Sequence, residues 1–175
     1  MFGVRVWPPG LALSCALMLA VVGCGKNGGA DNSEKGMFVS AADQVCAAHV
    51  RAVMSWLDQP AAGAVWQQQA TQDEGIYEIM DRSIQRLDGL GPAPGPRGDA
   101  FAGYVRTLKA RASLYRLTSM AFLDRDTVFA LRLEDRIKQI DTQGDRYAHD
   151  YGLRICGTGL KDLAKAFDEA GWKQP

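Results

Sequence analysis

LRLEDRIKQIDTQGDRYAHDY, residues 131–151, carries the clearest pattern in the chain. Leu133, Ile137, Ile140, Gly144, Tyr147 and Tyr151 recur at alternating steps of four and three. With about 3.6 residues per helical turn, that spacing lines them along one face. The charged residues between them fall on the other side. Gly152 follows at the point where a residue free to turn left-handed would stop the helix. Asp124-Arg125-Asp126, just upstream, reads as a tight turn that supplies its cap.

The same period extends toward the N-terminus. Asp99 is placed to cap a helix to about residue 123, with the stripe Phe101, Val105, Leu108, Ala112, Tyr115, Ser119 and Phe122. Before it, GLGPAPGPRGD holds three prolines and four glycines and reads as a loop. A further helix is expected over 61–87, with Ile76, Met80, Ser83 or Ile84, and Leu87 inward, and Pro60 marks the break ahead of it. Ser40 or Asp43 is a candidate cap for a first helix to residue 57, striped by Cys46, Val50, Val53 and Leu57. Residues 161–170 read as a short terminal helix. No stretch alternates as a strand would. Long amphipathic helices with mostly short links predict an all-α, up-down-up-down four-helix bundle with a short C-terminal helix.

The N-terminal part has a different character. It begins MFGVRVWPPG, with one charge at Arg5. An apolar run over 11–22 follows, broken only by Ser14 and Cys15, and then the polar tract GKNGGADNSEKG after Cys24. A charged start, an apolar core and small residues before a cut are the parts of a secretory signal. The run falls short of the roughly 20 residues a spanning helix needs.

Val21-Val22-Gly23-Cys24 resembles the bacterial lipobox, differing from its commonest form in having Val21 where Leu is preferred. The resemblance covers about two dozen residues. It implies diacylglycerol transfer to the Cys24 thiol and cleavage just before it, leaving a protein outside the bilayer and tethered by acyl chains. The expected organisation is a signal peptide over 1–23, a flexible tether rich in Gly, Asn, Asp and Ser over 24–38, and a helical domain over 39–175. The expected location is the outer face of the cell membrane, or the outer membrane. Its expected partners are the membrane through the lipid, and an envelope protein or anionic polymer.

Cleavage leaves 152 of the 175 residues, enough for one domain. It also leaves 19 basic against 20 acidic residues, a balance that argues against nucleic acid as a partner. Cys15 leaves with the signal and Cys24 takes the lipid, so Cys46 and Cys156 remain. Export places that pair in an oxidising compartment. Cys46 lies in the first turns of helix one and Cys156 just after helix four. An antiparallel bundle puts those positions at the same end, so a disulfide is expected.

The sequence holds no GxSxG, HExxH, phosphate-binding loop or dinucleotide fingerprint, and no CxxC or CxxCH. The expectation is a protein without catalytic residues or a cofactor, with an interaction or structural role at the cell envelope. The alternative is a carrier of a small ligand or haem in the bundle interior, with Met54, Met80, Met120 and the two histidines available as axial ligands. His49 and His149 lie near the expected disulfide on helices one and four. They form a candidate metal pair that needs a third ligand such as Asp150 or Asp145. Helix three carries Arg106, Lys109, Arg111 and Arg116 with no acidic residue among them. Helix two carries Asp73, Glu74, Glu78, Asp81 and Asp88 against Arg82 and Arg86. These read either as neighbours complementing each other across solvated edges or as a basic face for anionic polymers and headgroups.

Overall fold

The helical stripes read from the sequence become four antiparallel helices in the computed structural model, which describes residues 28–60 and 63–157, with side chains from residue 34. They are α1 (Gly28–Leu57), α2 (Val65–Asp88), α3 (Gly98–Leu123) and α4 (Thr127–Tyr151). The described residues contain no strand. None of their helices is long and apolar enough to cross a membrane. The expected helix over 161–170, the signal peptide and the lipobox lie outside the described residues.

Each helix packs on the next in sequence, and no other pair brings Cα atoms within 8 Å. The bundle is therefore an array with an open side between α1 and α4. Residues without side-chain bulk set the tight crossings. The Trp56 ring of α1 lies against Gly75 of α2, where a Cβ would run into the indole. Trp56 Nε1 donates to the Gln72 carbonyl at 3.2 Å. Between α3 and α4, a Cβ on Gly103 would lie 2.8 Å from Tyr147, and one on Gly144 would lie 2.9 Å from the Thr107 hydroxyl.

The core is divided into patches rather than continuous. One patch closes the end where the chain leaves α4. Phe38, Phe101 and Tyr151 meet there with ring centroids 4.9–5.8 Å apart, over buried Leu87, Val105 and Ile155. The Tyr151 hydroxyl donates to the Pro94 carbonyl at 3.2 Å, which holds the proline-rich loop down. A middle patch joins Met80, Ile84 and Ala112. The far end is closed by Ala70, Ala121, Phe122, Ala130 and Leu133.

Several local expectations are corrected. Helix α1 starts at Gly28, so most of the stretch read as a tether is helical. Its polar, glycine-containing composition is overridden because Phe38 reaches Phe101 and Tyr151. Neither Ser40 nor Asp43 caps a helix, since both lie inside α1. Helix α2 starts at Val65 rather than 61. Helix α3 is preceded by Arg97, and Asp99 sits in its first turn, where its charge faces the positive end of the helix dipole. Two end signals agree with the structure. The Asp126 carboxylate accepts the Phe129 N–H at 2.9 Å, and Gly152 ends α4 with φ 99°.

The disulfide joins Cys46 and Cys156, with Cα atoms 5.3 Å apart. Asp43, one turn before Cys46 and 5% exposed, accepts the N–H groups of Arg154 at 3.0 Å, Ile155 at 2.9 Å and, more weakly, Cys156 at 3.4 Å. One carboxylate and one covalent bond thus tie the segment after α4 to a helix that meets α4 only through side chains at this end, Phe38 against Tyr151.

Candidate functional site

Because α1 and α4 stay apart, the bundle interior is not filled. A partly open cavity of about 590 Å³ is lined by all four helices and closed at its floor by Ile155, Cys156 and Gly157. Val50, Val53, Ile76, Met80, Leu108 and Ile140 make its walls apolar. Among the described residues its polar groups stand at two places.

The first joins α1 and α2. His49 Nδ1 lies 3.1 Å from Ser83 Oγ, and Ser83 Oγ donates to the Ile79 carbonyl at 2.9 Å. A hydroxyl has one proton, so with that proton on Ile79 the imidazole Nδ1–H is the donor and Nε2 keeps its lone pair. Burial lowers the His49 pKa from 6.5 to about 4, helped by the field of Arg111 and opposed by a backbone hydrogen bond to Ile79. His49 is neutral at pH 7. The pair is not an activated nucleophile: the serine proton is already committed, and a base of pKa near 4 is too weak to take it.

The second joins α3 and α4. Arg111 Nε lies 3.0 Å from Asp141 Oδ1. The N–H is not aimed at that oxygen, so Nε is buried in an ion pair without a formed hydrogen bond. Arg111 Nη2 reaches the Tyr115 hydroxyl at 3.4 Å. Desolvation raises the Asp141 carboxyl, with Arg111 opposing it. Desolvation and then Asp141 raise Asp145 one turn further on, again against Arg111. Burial pushes the Tyr104 phenol up, so it is a neutral hydroxyl, and its one polar contact among the described residues is Cys46 Sγ at 3.5 Å. This arrangement can hold a molecule with an apolar body and a polar end.

The histidine pair is not brought together. His49 lines the cavity, whereas the His149 side chain is 92% exposed beside Asp150. Helix phase is the reason: Ala148 and Tyr151 take the two fully buried positions, which turns 149 and 150 outward. Among the described residues no group of three metal-ligating side chains exists. Of the other candidate axial ligands, Met54 and Met120 are exposed, and Met80 is buried against the cavity. The basic run on α3 is divided. Lys109 pairs with Asp88 of α2 at 2.8 Å, Arg116 lies over the Tyr77 ring, and Arg111 turns inward.

The inward turn of Arg111 had a signal in the sequence. Arg111 falls between Leu108 and Tyr115 at steps of three and four, on the same face as the apolar stripe. Nothing comparable marks the cavity itself, which depends on how far apart α1 and α4 stand.

A second buried acid lies outside the cavity. Asp73 on α2 is 9% exposed, and its Oδ2 has no hydrogen-bond partner. Burial first, then Glu134, raises it from 3.8 to about 7. The folded chain therefore holds a proton that the unfolded chain has lost between those values, and stability falls as pH rises through that window. Asp73→Asn is expected to stabilise the protein by about 2 kcal/mol at pH 8 and by almost nothing at pH 3.5. Thermal unfolding at the two pH values checks this, and an equal shift at both would contradict it.

No family model, no curated protein and no solved structure matches this chain.

Proposed function

We propose that this protein is an exported lipoprotein, held to a membrane through a lipid on Cys24, whose bundle interior binds a small and largely apolar ligand. The observation that carries the binding reading is the cavity of about 590 Å³ between α1 and α4, apolar on its walls and polar at two places. A densely packed four-helix core would have left no such space. The attachment rests on the signal-like N-terminus and on Val21-Val22-Gly23-Cys24.

Binding is tested with a fluorescent apolar probe such as N-phenyl-1-naphthylamine. Saturable binding at one site per chain is expected, and it is lost when Val53→Trp fills the cavity while circular dichroism shows an unchanged helix content. Saturation that survives Val53→Trp would place the probe elsewhere and remove the reading. Haem is one version of this reading, in which His49 Nε2 and Met80, both on the cavity wall, would be the residues to hold its iron. The absorbance spectrum of protein taken from its own compartment decides it.

For the anchor, Cys24→Ser is expected to move the protein from the membrane fraction to the soluble fraction and to remove the acyl mass. Unchanged partitioning and mass in the variant would end the proposal of lipidation.

An interaction or structural role at the envelope is the second reading, and one observation favours it. Leu117, Met120 and Leu123 at the end of α3, with Val128, Phe129 and Leu131 at the start of α4, are all exposed. This apolar end lies opposite the disulfide, at the tip of the bundle.

A further inference from the structure

The charges that line the cavity do not cancel. Among the described residues Arg111 is its one cation, since His49 is neutral, and Asp141 stands 3.0 Å from that guanidinium. Asp145 follows Asp141 by four residues, one turn along α4 on the same side, and also lines the cavity. No ion pair or hydrogen bond engages the Asp145 carboxylate among the described residues. Asp43, the other acid at this end, is already occupied by the backbone N–H groups of residues 154–156.

A molecule seated against the apolar wall thus meets one carboxylate in excess, at the mouth. On the α3 wall are the Tyr104 hydroxyl, whose one polar contact among the described residues is the Cys46 sulfur at 3.5 Å, and, three turns further along, the Tyr115 ring, which already faces the Arg111 guanidinium. An anionic head would reach Arg111 only by competing with Asp141, under the field of Asp145. A cationic head would complete the charge balance of Arg111, Asp141 and Asp145. We infer that the ligand of this cavity is an apolar amine: an ammonium head held by Asp145 beside the Arg111–Asp141 pair, and an apolar body between Val53, Ile76, Met80 and Ile140. The inference rests on the binding reading above and adds the chemical class of its ligand.

Three probes with one alkyl chain and different heads separate the two ideas. Octylammonium, octanoate and octanol are titrated by calorimetry into the full chain carrying Cys24→Ser. Octylammonium is expected to bind at least tenfold more tightly than octanoate. Asp145→Asn is expected to weaken octylammonium about tenfold and leave octanol unchanged, and Asp145→Glu to recover most of the loss. Asp145 is exposed at the mouth, so neither substitution disturbs the core. Tightest binding by octanoate, lost in Arg111→Met, would overturn the amine assignment and keep the cavity as a binding site. Equal binding of all three heads, indifferent to Asp145→Asn, would overturn it too. Saturable binding by none of the three would remove the binding reading and this inference with it.

Discussion

Replacing both Cys46 and Cys156 by serine is expected to lower the stability of the bundle by about 4–5 kcal/mol, the largest effect of any change considered for this protein. The bond spans 110 residues, nearly the whole of the described bundle. Cutting it returns to the unfolded chain the freedom of a loop of that length, which the chain-entropy account values at about 4.7 kcal/mol for 100 residues. The bond also has a local role. It is the covalent connection between α1 and the segment after α4, and these helices have no close backbone approach of their own. Urea unfolding of the double-serine variant measures the effect through its midpoint and slope. A loss below about 1 kcal/mol would show that the unfolded state with the bond is no more restricted than without it. The cavity floor includes Cys156 and its two neighbours, so the same variant is expected to bind the apolar probe less tightly.

Asp43→Ala is expected to cost about 3 kcal/mol or more, because it strands donors rather than removing a contact. The carboxylate accepts two well-formed backbone hydrogen bonds, from Arg154 and Ile155, and a longer one from Cys156. Ile155 and Cys156 are 1% and 4% exposed, so water cannot replace the lost acceptor without opening the segment. An unsatisfied buried donor costs about 1–3 kcal/mol, and here more than one is left. Asp43→Asn keeps one acceptor oxygen and is expected to retain part of the loss. Asp43→Ala and the double-serine change act on the same segment, so their effects should not add. Once either tie is cut, the segment is partly released and the other has less to hold. The four-cornered comparison of wild type, each variant and the combination reads that coupling. Strict additivity would mean that the carboxylate and the disulfide hold independent structures.

Much of the fold was legible because helices bury a stripe that repeats along the chain. The stripe of α4 is buried at Leu133, Ile137, Gly144 and Tyr151 and partly buried at Ile140 and Tyr147. The disulfide was legible because only two cysteines remain for the helical domain and antiparallel order puts them at one end. The site was far less legible. His49 and His149 looked like neighbours when counted from the cysteines, but a count along a helix gives height and not phase, and phase turns His149 to solvent. Arg111, read as part of a basic run on helix three, instead turns inward to Asp141 at the cavity.

The division between the two levels follows the range of the forces involved. Periodicity, turn residues and the Asp126 and Gly152 signals act within a few residues, so the sequence by itself determined the four helices, their alternating direction, the ends of α1 and α3 and both ends of α4. Contacts between distant segments settled the rest. Phe38 turned an apparent tether into helix by reaching Phe101 and Tyr151. Asp43 became a clamp and not a cap because Arg154, Ile155 and Cys156 arrive beside it from more than 110 residues away. The cavity exists because Gly75, Gly103 and Gly144 let α1 close on α2 and α3 close on α4, while α1 meets α4 only at the disulfide end, through Phe38 and Tyr151, and brings no backbone close to it. A hydrophobic stripe states which face is buried, but only the packed arrangement decides whether the space in front of it is filled.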